Sequence, residues 1–263
     1  MKTTSFWTRI GRTFLMFRWL LSLFYRFRHL EQVDLATRKN IIRQAALDAL
    51  TILNVHLDTD KLPENIYKTG RLVVANHISW LDIFVISALL PSGFIAMKEM
   101  RSWPMIGKIA ENVGTVFIDR SNRKDIEPIN AAIVQQLNTG ANVCFFPEAR
   151  TTFGNNILPL KAALFQSAIN AKSPIQILAL RYYSENQRTE KVSFHNINLL
   201  FSFLKIISLP EITVKVDTFI PFLPESDDRF EVKDKVEGLL REVIVSDSPN
   251  PNRIVVEETV KYQ

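Results

Sequence analysis

Cysteine is nearly absent from this 263-residue sequence, which contains only Cys144, and glycine is scarce, with eight residues. A single cysteine excludes a disulfide framework and any multi-cysteine zinc or iron–sulfur site within one chain. The few glycines form no G-x-S-x-G nucleophile elbow. No apolar run is long enough for a polytopic membrane protein. The 47% of hydrophobic and 22% of charged residues are typical of a globular chain with an ordinary core.

Acidic residues are missing from positions 1–28, which contain six basic ones. The other 235 residues contain 26 basic and 27 acidic side chains, so the formal net charge of +5 comes entirely from the N-terminal tenth of the chain. A nucleic-acid-binding protein usually places its basic residues on a folded face. The distribution therefore indicates a basic arm on a near-neutral domain, and we expect no nucleic-acid partner.

The arm is rich in Phe, Trp and Leu but too short to span a bilayer, which takes about 20 apolar residues. Only 13 residues separate Arg12 from Arg26, and Arg18 stands among them. No small-residue cleavage site follows, so a secretory signal peptide is not expected. We expect residues 1–35 to form a helical arm in the membrane interface, with its arginines reaching anionic headgroups. The alternative is a helix packed on the body, but its many aromatic residues favour the membrane.

Beyond the arm, helical spacing of apolar residues alternates with short β-branched runs. Strands are predicted at residues 55–57, 71–75, 94–97, 116–118, 143–146, 175–180 and 212–216. Helices are predicted at residues 36–53, 80–90, 126–137, 160–171 and 230–245. The alternation indicates an α/β fold, with a central mostly parallel or mixed sheet covered by helices. We assign residues 36–246 to one domain and residues 247–263 to a peripheral tail.

His77 stands between a predicted strand and a predicted helix, where open α/β sheets place their ligand crevice. Asp82, five residues later, can fold back from the first turns of that helix to orient the imidazole. By spacing alone, a merely structural pair is the commoner explanation. No nucleophilic serine is evident, and Cys144 lies inside a predicted strand, where cysteine usually acts as a small hydrophobe. A base without a protein nucleophile suggests that a substrate hydroxyl attacks.

Three blocks occur in a fixed order along the chain. They are Asn76-His77 with Asp82, Phe117-Ile118-Asp119-Arg120, and Phe146-Pro147-Glu148. Together they resemble the glycerolipid acyltransferase family, whose best-known members are the 1-acylglycerol-3-phosphate acyltransferases. The first block matches the family's N-H-x4-D motif in full, and the pair Lys98-Glu99 matches one that often precedes the second block. The resemblance covers residues 70–182.

Two positions depart from the family pattern. The third block usually reads F-P-E-G-T-R, but here Ala149 replaces the glycine and Arg150 stands one place earlier than the family's arginine. Glycine would permit a positive φ or a close backbone approach at this turn, and alanine is its mildest replacement. In the fourth block, Ile177 stands where the family has a proline.

The resemblance implies acyl transfer from acyl-CoA or acyl-carrier protein to the free sn-2 hydroxyl of 1-acylglycerol-3-phosphate, which yields phosphatidic acid. It implies that His77 is the general base and that Asp82 orients it. The implied substrate-binding residues are Arg120, Glu148, Lys98, Arg123 and Arg150, of which the cations suit a phosphate. No cofactor or metal is expected, because the thioester is already activated. The implied location is the cytoplasmic face of the inner membrane, as a peripheral or monotopic protein.

Several alternatives stay open. Arg120 can instead form a surface ion pair with Asp119 or Asp125, and Arg150 can be a solvated side chain. The acceptor can be another lysolipid, such as a lyso-ornithine lipid. Two further classes are a catalytically degenerate lipid-binding protein and a thioesterase that passes the acyl group to water.

Overall fold

The computed structural model describes residues 3–60, 62, 67–103, 105–119 and 126–253, except the side chain of Glu31. The helices in these ranges are α1 (Phe6–Phe27), α2 (Leu35–Ile52), α3 (Leu81–Leu89), α4 (Ile106–Asn112), α5 (Ile126–Asn138), α6 (Gln166–Ala171), α7 (Leu199–Ser208) and α8 (Arg229–Ser246). The strands are β1 (Val55–Thr59), β2 (Leu72–Ala75), β3 (Ser92–Met97), β4 (Val116–Ile118), β5 (Asn142–Phe145), β6 (Ile175–Ser184), β7 (Gln187–Arg188) and β8 (Ile212–Thr218).

The strands form one mixed sheet in the order β1-β8-β6-β2-β5-β3-β4, with β7 paired to β6. Strands β6, β2, β5, β3 and β4 run parallel to one another, while β8 is antiparallel to β6. Strand β2 is central, and all four of its residues are buried. Its neighbours are fixed by the registers Val74 to Phe145 and Ala75 to Leu178. This confirms the expected α/β sheet and brings the carboxyl ends of β2 and β5 together.

Alternate residues of the strands point to opposite faces of the sheet, where they belong to two separate hydrophobic clusters. Val73 and Ala75 face one cluster, which α2, α3 and α7 cover. Leu72 and Val74 face the other cluster, which α5, α6 and α8 cover. Both faces are thus shielded, as a mostly parallel sheet requires.

Helix α1 packs on α2 through a third cluster that includes Trp19, Leu23 and Phe27. The Trp19 Nε1 atom donates to the Ala45 carbonyl at 2.8 Å. None of the helices in the described part of the chain combines the length and apolarity that crossing a bilayer requires.

The expectation that all arm arginines reach lipid headgroups is wrong for Arg12. Its side chain is buried and donates to the carbonyls of Ile207 at 3.1 Å, Leu209 at 2.6 Å and Pro210 at 2.9 Å. These carbonyls lie at the C-terminal end of α7, where helical carbonyls lack intrahelical donors and a cation is favoured. Arg12 therefore joins the arm to the body.

The predicted helix over 160–171 is shorter than expected. A 3-10 turn covers Ala163–Phe165, and α6 begins only at Gln166. The Leu160 backbone N–H donates to the Glu237 side chain at 3.0 Å instead of entering a helix. Helices α4 and α7 were not predicted from the sequence. The strands and helices that were predicted are present, with shifts at their ends.

Candidate active site

His77 lies in the loop that leaves β2, and Asp82 lies in the first turn of α3. The Asp82 Oδ2 atom is 2.8 Å from His77 Nδ1 and accepts from the backbone N–H groups of Ile78 at 2.7 Å and Ser79 at 2.9 Å. The carboxylate therefore fixes the loop and the ring at once. Because Asp82 accepts this bond, the hydrogen belongs on Nδ1, which leaves a lone pair on His77 Nε2.

Tyr182, on β6, completes the surroundings of Asp82. Its hydroxyl donates to Asp82 Oδ1 at 2.5 Å, and both side chains are buried. Burial and the adjacent Asp82 carboxylate raise the pKa of Tyr182 well above its ordinary value, so the phenol remains a donor. Asp82 thus receives four hydrogen bonds from described residues, which is the pattern that an ionised buried carboxylate needs.

The imidazole ring of His77 is held from the side as well. It stacks on Phe146, with ring centroids 3.9 Å apart and an interplanar angle of 10°. Its side chain keeps 21% of its surface exposed, whereas that of Asp82 is fully enclosed. A ring held on one nitrogen and one face, yet open to solvent, is suited to take a proton from a bound molecule.

Glu148 follows β5 and is buried beneath the same loop. Its Oε1 accepts from the His77 backbone N–H at 2.8 Å, and its Oε2 accepts from the Leu158 N–H at 2.9 Å. Burial raises the pKa of Glu148 to about 8, although these two hydrogen bonds oppose the shift. Both oxygens are thus engaged with backbone groups, and Glu148 joins the His77 loop to the segment before α6.

Ala149 adopts the backbone conformation that a glycine would accept freely. Its φ is +61°, and its N–H donates to the Phe146 carbonyl at 3.1 Å. The left-handed conformation costs an L-residue about 1–2 kcal/mol. The turn is therefore present, and the alanine carries its conformational strain.

The two predicted cations that the structure describes, Lys98 and Arg150, are exposed. Lys98 follows β3, is 55% exposed at its side chain, and forms an ion pair with Asp119, which follows β4. Arg150 is exposed and has no hydrogen bond or ion pair with any described residue. Arg120 and Arg123 lie outside the described residues. The structure thus brings His77, Asp82 and Glu148 together and pairs Lys98 with Asp119.

The fold and site geometry agree with comparisons to known proteins. A family model described as Acyltransferase matches residues 58–181. The chain is 43% identical over 246 residues to the 1-acyl-sn-glycerol-3-phosphate acyltransferase of Neisseria gonorrhoeae, covering 93% of this chain and 96% of that protein. The chain belongs to the acyltransferase family. This confirms the resemblance on which the site residues were chosen.

Two further relatives of this acyltransferase are informative. The lyso-ornithine lipid O-acyltransferase of Pseudomonas aeruginosa is 32% identical over 171 residues, or 65% of this chain and 66% of that protein. The crystal structure of the 1-acyl-sn-glycerophosphate acyltransferase PlsC from Thermotoga maritima has a TM-score of 0.65 and 17% identity, covering 90% of this chain and 93% of that one. The second comparison shows that the two chains share a fold.

Two parts of the candidate site were not predicted from the sequence. Tyr182 received no role, although it shares the parity of Leu178 and Leu180 along β6 and so faces the α3 side of the sheet. The segment before α7 was also missed: the Phe194 N–H donates to the Ile78 carbonyl at 2.9 Å, and the Ser193 hydroxyl donates to the Thr152 carbonyl at 2.8 Å. Both links are distant in sequence. In the described ranges, no three His, Cys, Asp or Glu side chains form a group that could hold a metal.

Proposed function

We propose that the chain transfers an acyl group from acyl-CoA or acyl-carrier protein to the sn-2 hydroxyl of 1-acylglycerol-3-phosphate, which makes phosphatidic acid. The observation that carries the proposal is the buried Asp82 carboxylate, held by four donors and fixing a partly exposed His77. The 43% identity to a protein named for this reaction, over nearly the whole of both chains, supports the choice of acceptor.

In the proposed mechanism, His77 Nε2 takes the proton of the acceptor hydroxyl while its oxygen attacks the thioester carbonyl carbon. The tetrahedral intermediate collapses, the C–S bond breaks, and the imidazolium returns the proton to the thiolate sulfur. Asp82 holds the Nδ1–H tautomer and stabilises the imidazolium by its charge. The hydroxyl loses a proton, the thiol gains one, and the acyl group moves from sulfur to oxygen.

For the acceptor phosphate we propose Arg120, with Lys98, Arg123 and Arg150 as further cations. Strand β3, which precedes Lys98, stands two places from β2 in the sheet. At ordinary strand spacing this is about 10 Å, which a glycerol phosphate and a lysine side chain together can span. Because parallel strands end at the same edge, Lys98 and the His77 loop border the same crevice.

A lyso-ornithine lipid is the second candidate acceptor, because the Pseudomonas aeruginosa relative carries that name. The shorter alignment and lower identity of that relative favour the phosphate acceptor. Of the two acceptors, only 1-acylglycerol-3-phosphate carries a phosphate monoester, which is the group that the proposed cations would bind.

We also propose that α1 docks the enzyme on the cytoplasmic face of the membrane, where acyl-CoA and acyl-carrier protein are found. Exposed side chains along α1 include Phe6, Trp7, Phe14 and Phe17, beside the exposed Arg18. Aromatic and basic side chains on one helix favour an anionic lipid interface.

The test is thiol release from acyl-CoA by the purified protein in detergent micelles, with 1-acylglycerol-3-phosphate, with a lyso-ornithine lipid, or with no acceptor. Release that requires the phosphate acceptor supports the proposal. Release that requires the ornithine lipid contradicts the proposed acceptor. Release that persists without any acceptor identifies a thioesterase. Silence with both acyl-CoA and acyl-carrier-protein donors contradicts catalysis and favours a degenerate lipid-binding protein.

A further inference from the structure

Helix α7 presents an apolar face that no described part of the chain covers. The face consists of four side chains, the α7 patch: Leu199, 44% exposed, Leu200, 65%, Phe201, 60%, and Leu204, 47%. The opposite face is buried through Ser202, Ile206 and Ile207. Helix α7 is thus seated on the sheet by one side and offers leucine and phenylalanine on the other, an arrangement that usually marks an interaction surface.

The charges around the α7 patch suit an anionic surface. From residue 191 to residue 210 the sequence contains no acidic residue, and Lys205 is exposed next to Leu204. The arm, which lacks acidic residues up to position 30, is bonded to the far end of α7: the Thr4 N–H donates to the Ser208 carbonyl at 2.9 Å. Two neighbouring helices therefore combine exposed apolar side chains with positive charge.

Helix α7 is also connected to the site. The Trp80 Nε1 atom, at the start of α3, donates to the Ser202 hydroxyl at 3.0 Å. The segment that enters α7 bonds the site loop, since the Phe194 N–H donates to the Ile78 carbonyl at 2.9 Å. Helix α7 and the segment before it are therefore bonded to residues one and three positions after His77.

We propose that the α7 patch inserts into the interface of an anionic bilayer and forms, beside the arm, a second lipid contact next to the site. A leucine- and phenylalanine-rich face flanked by lysine and free of carboxylates fits lipid headgroups and acyl chains. The inference rests on the proposed function in one respect, namely that the acceptor is a membrane lipid. Two contacts would hold the crevice that contains His77 at the depth of that acceptor.

The experiment labels one position on α7 and a matched one elsewhere. Cys144 is fully buried, so a cysteine in the variant L200C can be labelled selectively with an environment-sensitive fluorophore. The control is F230C, because Phe230 is similarly exposed, at 55%, but begins α8 on the other face of the sheet. Each full-length protein is mixed with vesicles of phosphatidylcholine, with or without phosphatidylglycerol.

A blue-shifted, several-fold brighter emission from L200C with phosphatidylglycerol vesicles, and no change from F230C, is the expected result. A second readout is vesicle flotation of F201E, which should bind about tenfold more weakly, as expected when one large apolar side chain no longer inserts. Unchanged emission from L200C on vesicles that carry the protein would overturn the proposal. So would a rise with protein concentration in the absence of lipid, which would mean that a second copy covers the patch.

These measurements need no substrate. Failure of the proposed function would appear separately, as absent acyl transfer by the unlabelled protein in detergent micelles. Failure of this proposal would leave that transfer intact and remove only the emission change at position 200.

Discussion

The carboxyl ends of β2 and β5 and those of β3 and β4 lie at one edge of the same sheet, yet they hold polar side chains in different ways. At the first pair, Asp82 and Glu148 are buried and every oxygen of each accepts a hydrogen bond. At the second pair, Lys98 is mostly exposed and meets Asp119 at the surface. A buried network fixes a reactive group to a fraction of an ångström, whereas exposed cations adapt to the molecule that they bind.

The largest effect should come from a change in the buried network around Asp82 and Glu148. We expect D82N to lower kcat by about a thousandfold, because one accepting oxygen becomes an NH2 donor and the negative charge that stabilises the imidazolium is lost. The control is D48N, which removes a surface carboxylate that meets Arg26 at 2.5 Å and should leave kcat unchanged. Steady-state acyl transfer in micelles measures both. Comparable kcat values for D82N and the unaltered enzyme would show that the network serves folding alone.

The buried Glu148 should also make the stability of the protein depend on pH. The pKa of Glu148 is raised to about 8 in the folded protein from its ordinary 4.5. The folded state therefore holds a proton that the unfolded state has lost in this interval, so stability from this group is full below the ordinary value and is lost as pH rises toward 8. We expect a falling Tm over that window, with a shallower fall in E148Q. Parallel Tm curves for the two proteins would contradict the assignment to Glu148.

Tyr182 tests whether the buried network tunes the base. We expect Y182F to lower kcat about tenfold, consistent with the loss of one hydrogen bond to a charged group. The acid limb of the pH profile of kcat/KM should also move, because an Asp82 carboxylate without the phenol donor interacts more strongly with the imidazolium.

The adjacent tyrosine is the matched control for that variant. The Tyr183 hydroxyl also donates to a carboxylate, that of Asp247, but on the other face of β6. We expect Y183F to leave both kcat and the pH profile in place. A lower kcat in Y182F with an unshifted profile would indicate a purely structural role for Tyr182.

A change at the exposed Lys98 should affect substrate binding. We expect K98A to raise KM for 1-acylglycerol-3-phosphate about fivefold with little change in kcat, as an exposed charged hydrogen bond to phosphate would. K235A is the control, since Lys235 is also half exposed and lies near the carboxylate of Glu225, but on α8. A loss in kcat with unchanged KM would contradict the distinction between the buried network, which acts on kcat, and the exposed Lys98, which acts on binding.

The smallest effect concerns the turn at Ala149, next to the buried Glu148. We expect A149G to raise the free energy of unfolding by about 0.5–1 kcal/mol, because glycine relieves the positive φ but loses more backbone entropy on folding. The same change at the exposed Ala131, inside α5, should lower the free energy of unfolding by about 1 kcal/mol. Urea unfolding of both variants decides this, and destabilisation in A149G would mean that the methyl group packs usefully.

The comparison also explains what the sequence could predict. Strands such as β2 and β5 were predictable because each is a short, mostly apolar and fully buried run. His77 and Asp82 were predictable because, with Asn76, they match the N-H-x4-D motif of the family that the sequence resembles. Tyr182 was not, since its bond to Asp82 depends on the pairing of β2 with β6, 100 residues apart. Helix α7 was missed because seven of its ten residues are apolar, and a short, nearly continuous apolar run does not by itself distinguish a helix from a strand. Lys98 and Asp119 meet because β3 and β4 pair in register.

The central claim is that His77 is the base for attack by a lipid hydroxyl. The most direct measurement is phosphatidic acid formed from acyl-CoA and 1-acylglycerol-3-phosphate, quantified by mass spectrometry for the unaltered enzyme, H77A and H56A in the same micelles. His56 is exposed on the edge strand β1, so H56A should match the unaltered enzyme. H77A should form product about a thousandfold more slowly. Product formation by H77A within tenfold of the unaltered rate would contradict the account.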